Sequence, residues 1–222
     1  MEPAGRTPPD FERLAARWSG NAAGVRYRRD RGALRRAGKD GRSVHAWLAG
    51  ELAHGLPGSG WLLDCPAGSG RLFPALSRLP LRYLGLDASL PMLAAHPAGA
   101  RTAQARLERL PLPDRSVEWV VCNRLLHHLP AGPALEAALA ELWRVARRGL
   151  CFSWFDARSW PAWRQRWRGQ ACDRAGRHFL PRSAIAAACA RAGLPAPQFR
   201  SQAGWFSAQS FALVRRPHPP GA

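Results

Sequence analysis

Two acids, each closing a short apolar run, constrain this chain more than any other feature. Residues 61–70, WLLDCPAGSG, run from apolar residues through Asp64 into a turn containing Gly68 and Gly70. Residues 81–89, LRYLGLDAS, bring a second apolar run to Asp87, seventeen residues beyond Gly70. Short apolar runs bounded by turn residues read as buried strands, and the segment from Arg71 to Leu79 between them is amphipathic. Strand, glycine turn, helix, strand and acid is the layout of a nucleoside-binding βαβ unit. In such a unit Gly68 and Gly70 let the backbone approach a ligand closely and adopt positive φ. Asp87 is then placed to accept hydrogen bonds from both ribose hydroxyls.

The turn also says which nucleosides to exclude. A dinucleotide fingerprint requires G-x-G-x-x-G, but the third position here is Phe73, and that glycine is what permits close helix packing beside a pyrophosphate. A G-x-x-x-x-G-K phosphate cradle is also missing, and the sole lysine is Lys39. Asp64, placed before the turn, suits a cationic ligand better than an anionic one.

Three stretches, LLDCPAGSGR, YLGLDASLPML and ARLERLPLPDRSVEWVVCNRLLHHL, together resemble the class I S-adenosylmethionine-dependent methyltransferases. The resemblance is closest to the branch that includes the ubiquinone and menaquinone biosynthesis methyltransferases. It spans about residues 60–150, with the motifs in the family's order and spacing, and the tail from HFLPRSAIAAACARAGL onward is similar to the end of that fold. It implies an α/β architecture: a Rossmann-like, seven-stranded, mostly parallel sheet with helices on both faces and the last strand antiparallel. It also implies S-adenosyl-L-methionine as cofactor. The chain departs from the family pattern at Pro66, which stands at a usual glycine and removes one N–H donor, and at Ala67, where cysteine is common. Arg106 stands where an acid often lies near the adenine amine, and Glu118 replaces a usual aspartate.

Length fits one domain with a covered sheet. Residues 1–57 are expected to form a helical segment packed on the core, 58–150 the cofactor-binding core, and 151–222 the C-terminal part of the same domain with a substrate-side Trp/Arg segment. Pro8, Pro9 and the ending RRPHPPGA predict frayed termini. No apolar run is long enough for a transmembrane span, and no basic-then-apolar leader opens the chain. The five cysteines (65, 122, 151, 172 and 189) form no C-x-x-C pair. They read as reduced, buried thiols of a cytoplasmic protein, with no metal site. The net charge of +18 is uneven: residues 151–222 hold eleven bases and two acids, against eleven and seven in 58–150. The basic third is either a solvated surface or a face for RNA, an anionic lipid or a phosphorylated small molecule; no RNA-binding module is visible.

Along the chain, the pattern predicts a short helix from Phe11 to Ser19 and a basic, partly helical segment from Tyr27 to Arg42. A further helix is expected from an N-cap at Ser43 through His54, followed by breakers at Gly55, Pro57, Gly58 and Gly60. Strands are expected near Arg101–Ala105, over Val117–Cys122 and over Leu150–Phe155. Helices are expected over Gly132–Arg147 and Arg182–Ala192, and closing strands over Gln198–Gln202 and Gln209–Val214.

The resemblance places cofactor contacts at Asp64, Pro66, Ala67, Gly68, Gly70, Asp87, Ala88, Met92, Leu107, Glu108 and Asn123. Competing structural roles exist: Asp64 as a helix cap, Asp87 as a turn residue, Met92 as core. Asn123, Arg124, His127 and His128 follow the fourth strand, and ligands of open α/β sheets bind beyond the carboxyl ends of strands. His127 is the candidate proton acceptor, with Arg124 and His128 on the substrate side; alternatively the LHHL segment packs and orders the loop. Trp160, Trp163 and Trp167, at i, i+3 and i+7, read as a substrate-side cover or as a core-facing stripe. Arginines 158, 164, 166 and 168 are interleaved with them, and a membrane-surface contact is a third reading. The expected activity is methyl transfer to a small-molecule or lipid acceptor, anionic acceptors included. The alternatives are an RNA-modifying methyltransferase and a catalytically silent binding protein; oligomeric state is not legible.

Overall fold

The structure is a computed structural model that describes residues 31–53, 60–97, 101–168, 176–202 and 204–217. The expected helix from Phe11 to Ser19, the breakers at Gly55, Pro57 and Gly58, and Cys172 lie outside the described residues. Seven strands form one sheet: β1 (Trp61–Asp64), β2 (Arg82–Asp87), β3 (Thr102–Gln104), β4 (Val117–Cys122), β5 (Ala146–Phe155), β6 (Gln198–Ser201) and β7 (Gln209–Arg215). Their order is β3-β2-β1-β4-β5-β7-β6. β1 pairs in parallel with β2 and β4, β2 with β3, and β4 with β5. Only β7 runs against its neighbours. The chain leaves β1 for β2 and β3 on one side and returns to β4 on the other, so strand order reverses between β1 and β4. That crevice is where an open α/β sheet receives a ligand.

Each face of the sheet is covered by helices whose apolar spacing matches it. On one face, α1 (Arg31–Ala53) and α2 (Phe73–Leu76) bury Val44, Trp47, Leu48, Leu72 and Leu76 against Leu62, Trp119 and Val121. On the other, α4 (Pro133–Val145) and α6 (Arg182–Arg191) bury Leu135, Leu139, Leu142 and Ile185 against Leu63, Val120 and Phe152. A one-turn helix, α3 (Leu90–Leu93), follows β2. β4 is buried along its whole length, as a central strand of a doubly covered sheet must be. Its register against β5 shifts between Val117 and Trp119. The irregularity lets Val117 and Val120 share one core while Trp119 and Val121 face the other.

Several boundaries differ from those the sequence suggests. Ser43 is not an N-cap, because α1 begins at Arg31 and passes through it. The buried side of this helix already includes Asp40 and Gly41, and a Cβ on Gly41 would come 2.9 Å from the Cβ of Ala75; tertiary contact carries the helix back beyond the local signal. The amphipathic segment from Arg71 to Leu79 is right about its face, since Leu72, Leu76 and Leu79 are all core. Only Phe73–Leu76 is α-helix, however. α4 ends at Val145, and β5 starts at Ala146 rather than Leu150. Partners outside the local sequence set that early strand. Ala146 pairs with Val117, Arg148 donates to Glu118 at 2.7 Å, and the Arg216 guanidinium donates to the carbonyls of Ala146 and Trp143.

Candidate cofactor and acceptor site

The turn after β1 is locked to the sheet before it meets any ligand. The Cys65 N–H donates to the Val121 carbonyl and the Ala67 N–H to the Leu86 carbonyl, each at 2.9 Å. The chain then reverses through Gly68 (φ +55) and Gly70 (φ +73). A Cβ on Gly68 would lie 3.3 Å from the Met92 methyl and 3.9 Å from an Asp87 oxygen, so the glycine keeps open the space between turn and acid. At Gly70 a Cβ would collide with Pro97 and His96, which makes that glycine a packing requirement.

Asp87 ends β2 facing this turn. Its Oδ2 accepts from the Gly68 N–H at 2.7 Å and its Oδ1 from the Ser89 N–H at 2.8 Å. Burial raises its pKa, and those two N–H bonds pull the other way. A carboxylate has about four lone-pair sites, so each oxygen keeps one for a further donor while the carboxylate plane is fixed. Ser89 also caps α3 by accepting from the Met92 N–H at 3.3 Å, which sets Met92 over the turn.

Asp64 sits deeper. The Tyr83 hydroxyl donates to its Oδ2 at 2.9 Å and lies 3.1 Å from His96 Nε2. Oδ1 is buried and has no hydrogen-bond partner among the described residues. Burial pushes the carboxyl up to about 7, the Tyr83 hydrogen bond lowers it, and the nearby Asp87 raises it further. A buried acid with one empty oxygen is a receptor for a cation or a strong donor.

These groups line one cleft, whose empty volume is about 1140 Å³ with the space at its open mouth included. Asp64, Pro66, Ala67, Gly68, Asp87, Ala88, Met92, Leu107, Glu108, Asn123, Arg124 and His128 all face it. Gly70, His127, Trp160, Trp163 and Trp167 are not part of the lining. The loop bearing Leu107 and Glu108 is tied to α4: the Leu110 N–H donates to Glu141 at 2.6 Å, and Arg144 donates to the Leu110 and Leu112 carbonyls. Arg106, the cation at a position the family often gives to an acid, is ion-paired with Glu108 at 2.6 Å. Glu118 serves the frame, bonded to Arg147 and Arg148.

The cleft wall that follows β4 rests on a buried polar network. The Asn123 amide nitrogen donates to Asp40 at 3.3 Å, while its oxygen accepts from Ser153 and Gln209, each at 2.8 Å. Arg124 has φ +62. Its N–H donates to Ser153 at 2.8 Å, and its guanidinium reaches Gln209 at 2.8 Å and Asp40 at 3.6 Å. Gln202 closes the set on Asp40 at 2.7 Å. Sequence reading missed Asp40, Ser153 and Gln209. Asp40 carried a signal, being the sole acid between Arg31 and Glu51; Ser153 and Gln209 carried none. It also missed Ser69, Arg71, Ser89 and Leu125 in the cleft lining, residues whose types are unremarkable outside their turns.

The two histidines separate. His128 lines the cleft. His127 is buried, and its ring stacks on Phe155 at 4.1 Å with 12° between planes. The tryptophans occupy α5 (Trp160–Arg166), started by Ser159, whose side chain accepts from the Ala162 N–H. Trp160 stacks on Trp163 at 4.8 Å and Trp163 on Trp167 at 5.6 Å, so the i, i+3, i+7 spacing does place them on one face. That face is exposed, which excludes a core-facing stripe. Four cysteines, Cys65, Cys122, Cys151 and Cys189, are buried free thiols. Among the described residues no helix is long and apolar enough to cross a membrane.

Comparison with known proteins fits this geometry. Residues 63–152 match the family model described as a methyltransferase domain. No curated protein sequence matches the chain significantly. Among solved structures, the magnesium protoporphyrin IX methyltransferase of Synechocystis PCC 6803 with bound S-adenosylmethionine superposes with a TM-score of 0.68 at 16% identity, over 96% of this chain and 100% of that one. The Haloferax volcanii putative methyltransferase, in complex with the Trm112 methyltransferase activator, gives 0.63 at 15% identity over 94% and 98%. A Thermotoga maritima S-adenosylmethionine-dependent methyltransferase, a possible histamine N-methyltransferase, gives 0.59 at 16% over 85% and 97%. Residues 63–152 therefore resemble a methyltransferase domain, in a chain that shares the fold of S-adenosylmethionine-dependent methyltransferases.

Proposed function

We propose that the cleft binds S-adenosyl-L-methionine and that the chain transfers its methyl group to a small-molecule or lipid acceptor. The observation that carries this reading is Asp87: a buried carboxylate, held flat by the Gly68 and Ser89 N–H groups at 2.7 and 2.8 Å, with a lone pair free on each oxygen beside a glycine turn. That pair of acceptors suits the two ribose hydroxyls. Met92, Ala88 and Leu107 would flank the adenine, with Glu108 at its edge. The unpartnered Oδ1 of Asp64 would serve the cationic methionyl end, beside Pro66, Ala67 and Asn123.

When bound, the cofactor supplies a methyl group already activated by a positively charged sulfur. What remains for the chain is positioning and exclusion of water, so no dedicated base is required. Arg124 and His128 stand on the acceptor side. Arg124 is held by Asp40 and Gln209 and suits an anionic group, while His128 is the imidazole that lines the cleft on that side. The stacking of His127 on Phe155 supports an ordering role for it. The four buried free thiols suit a reducing, cytoplasmic setting.

The test is transfer of an isotope-labelled methyl group from S-adenosylmethionine into small-molecule and lipid fractions of a cell extract. At a limiting concentration of cofactor, label should enter one fraction with the wild-type protein and far less of it with Asp87→Ala. A wild-type protein that binds the cofactor yet labels nothing would make the chain a silent binding protein.

A further inference from the structure

We propose that the tryptophan face of α5, together with the 3-10 turn Gly204–Phe206 beside it, docks the protein on an anionic phospholipid bilayer. The inference does not rest on methyl transfer. It begins from exposure: Trp160 is 41% exposed, Trp163 40%, Trp167 82%, Trp205 55% and Phe206 83%. Trp205 meets Trp160 edge-on at 5.8 Å, so helix and turn form one patch. Large aromatic side chains gathered in the open mark an interaction surface; a merely solvated basic face accounts for arginines but not for these.

The geometry of the patch selects the partner. Recognition of nucleic-acid bases needs free ring faces. Here Trp163 is already stacked with Trp160 at 4.8 Å and with Trp167 at 5.6 Å, with 19° between planes in each pair. Each indole joins an apolar ring system to one N–H, and the row stands exposed. That is the arrangement in which tryptophan resides at a membrane–water interface. Charge agrees. Arg158, Arg164, Arg166 and Arg168 are exposed along the same stretch, and residues 151–222 hold eleven bases against two acids. A basic face with interleaved aromatics is complementary to anionic headgroups.

A polar cavity adjoins the patch at Trp205, lined in part by Arg158, Arg182, Ser159 and Ser207. Its acid, Asp156, is already paired with Arg182 at 3.4 Å, and Ser159 and Ser207 are bonded to the Asp156 and Gln209 backbone, so Arg158 is the side chain offered to a lipid phosphate. The patch lies beyond the C-terminal end of β5, the strand beside β4, and Asn123 and Arg124 of the cleft follow β4. Docking would therefore bring that end of the sheet to the bilayer.

The test is co-sedimentation of the full chain with vesicles of phosphatidylcholine alone and of phosphatidylcholine mixed with phosphatidylglycerol. Binding is expected only to the anionic vesicles, falling as salt is raised. The Trp163→Ala/Trp167→Ala protein should bind them at least about tenfold more weakly while its affinity for S-adenosylhomocysteine changes little. Should that variant melt early, Trp167→Ala alone, at the most exposed of the three tryptophans, takes its place with the same expected direction. Soluble glycerol phosphate should not release the wild-type protein; release would assign the surface to free phosphates and overturn the proposal. Equal sedimentation with both vesicle types would overturn it, as would unchanged binding by the tryptophan variants. So would a patch whose mutation abolishes self-association or RNA binding while vesicle binding persists.

Discussion

The cleft wall and the tryptophan face lie toward the same end of the sheet and are built in opposite ways. In the cleft, polar groups are buried or half-buried and held by hydrogen bonds: Asp87 by two backbone N–H groups, Asn123 by the side chains of Ser153 and Gln209, Arg124 by those of Ser153, Gln209 and Asp40. One acceptor, Asp64 Oδ1, has no partner among the described residues. On α5 the large side chains are exposed and held mainly by each other. A site that must distinguish one small molecule needs its groups fixed in advance. A face meant for a broad partner needs area and charge, with little positional demand. Mutations should therefore act sharply and selectively in the cleft, and gradually on the face.

The largest effect is expected at Gly68. At φ +55 a branched side chain is strained by roughly 1–3 kcal/mol, and its Cβ would enter the gap bounded by Met92 and Asp87. Gly68→Val should remove measurable cofactor binding by calorimetry. Retained tight binding would mean that this turn is not the cofactor loop, and the contrast between the two regions would lose its basis.

The next effect sharpens the account of Asp64. Its carboxyl titrates near 7 because burial disfavours the charged form. With the folded pKa above the unfolded one, the folded state holds its proton while the unfolded state has lost it, so this group's contribution to stability falls as pH rises from about 4 to about 7. A cationic ligand prefers the carboxylate and must displace that proton. Affinity for S-adenosylmethionine should therefore rise on going from pH 6 to pH 8, by up to about tenfold from this group alone. In Asp64→Asn that component should vanish. A flat profile in the wild type would place the cation elsewhere.

The smallest effect is expected on α5. Core tryptophans would cost about 3–5 kcal/mol each on truncation, and a melt of Trp163→Ala/Trp167→Ala would collapse. Exposed, mutually stacked ones should cost only the stacking, roughly 1–2 kcal/mol in all. The melting temperature should fall by a few degrees with S-adenosylhomocysteine affinity nearly unchanged. A large loss of both would make the face part of the fold and erase the comparison.

How much of this was legible in the sequence follows from how local each signal is. The turn between Asp64 and Gly70, Asp87 at the end of its strand, and β4 over Val117–Cys122 are set by short-range order, and the structure has them where the sequence reads them. Ser43 misled because its capping chemistry is local while the length of α1 is decided by packing on Ala75 and by the buried Asp40. β5 was read four residues short because Ala146, Arg147 and Arg148 look helical until Glu118 and Val117 draw them into the sheet. The network of Asp40, Ser153 and Gln209 draws on three distant segments and no one stretch announces it. His127 and His128 are adjacent in sequence, and only the fold tells them apart, burying one on Phe155 and turning the other to the cleft.

The central claim is that Asp87 receives a ribose in this cleft. Isothermal titration of the wild-type protein and Asp87→Ala with S-adenosylhomocysteine tests it most directly, with a thermal melt to establish that both are folded. The account predicts one-site binding by the wild type and a loss of roughly 1.5–3 kcal/mol in the variant, about ten- to 150-fold in affinity. Equal affinity in a folded Asp87→Ala protein, or no binding by the wild type, would contradict it.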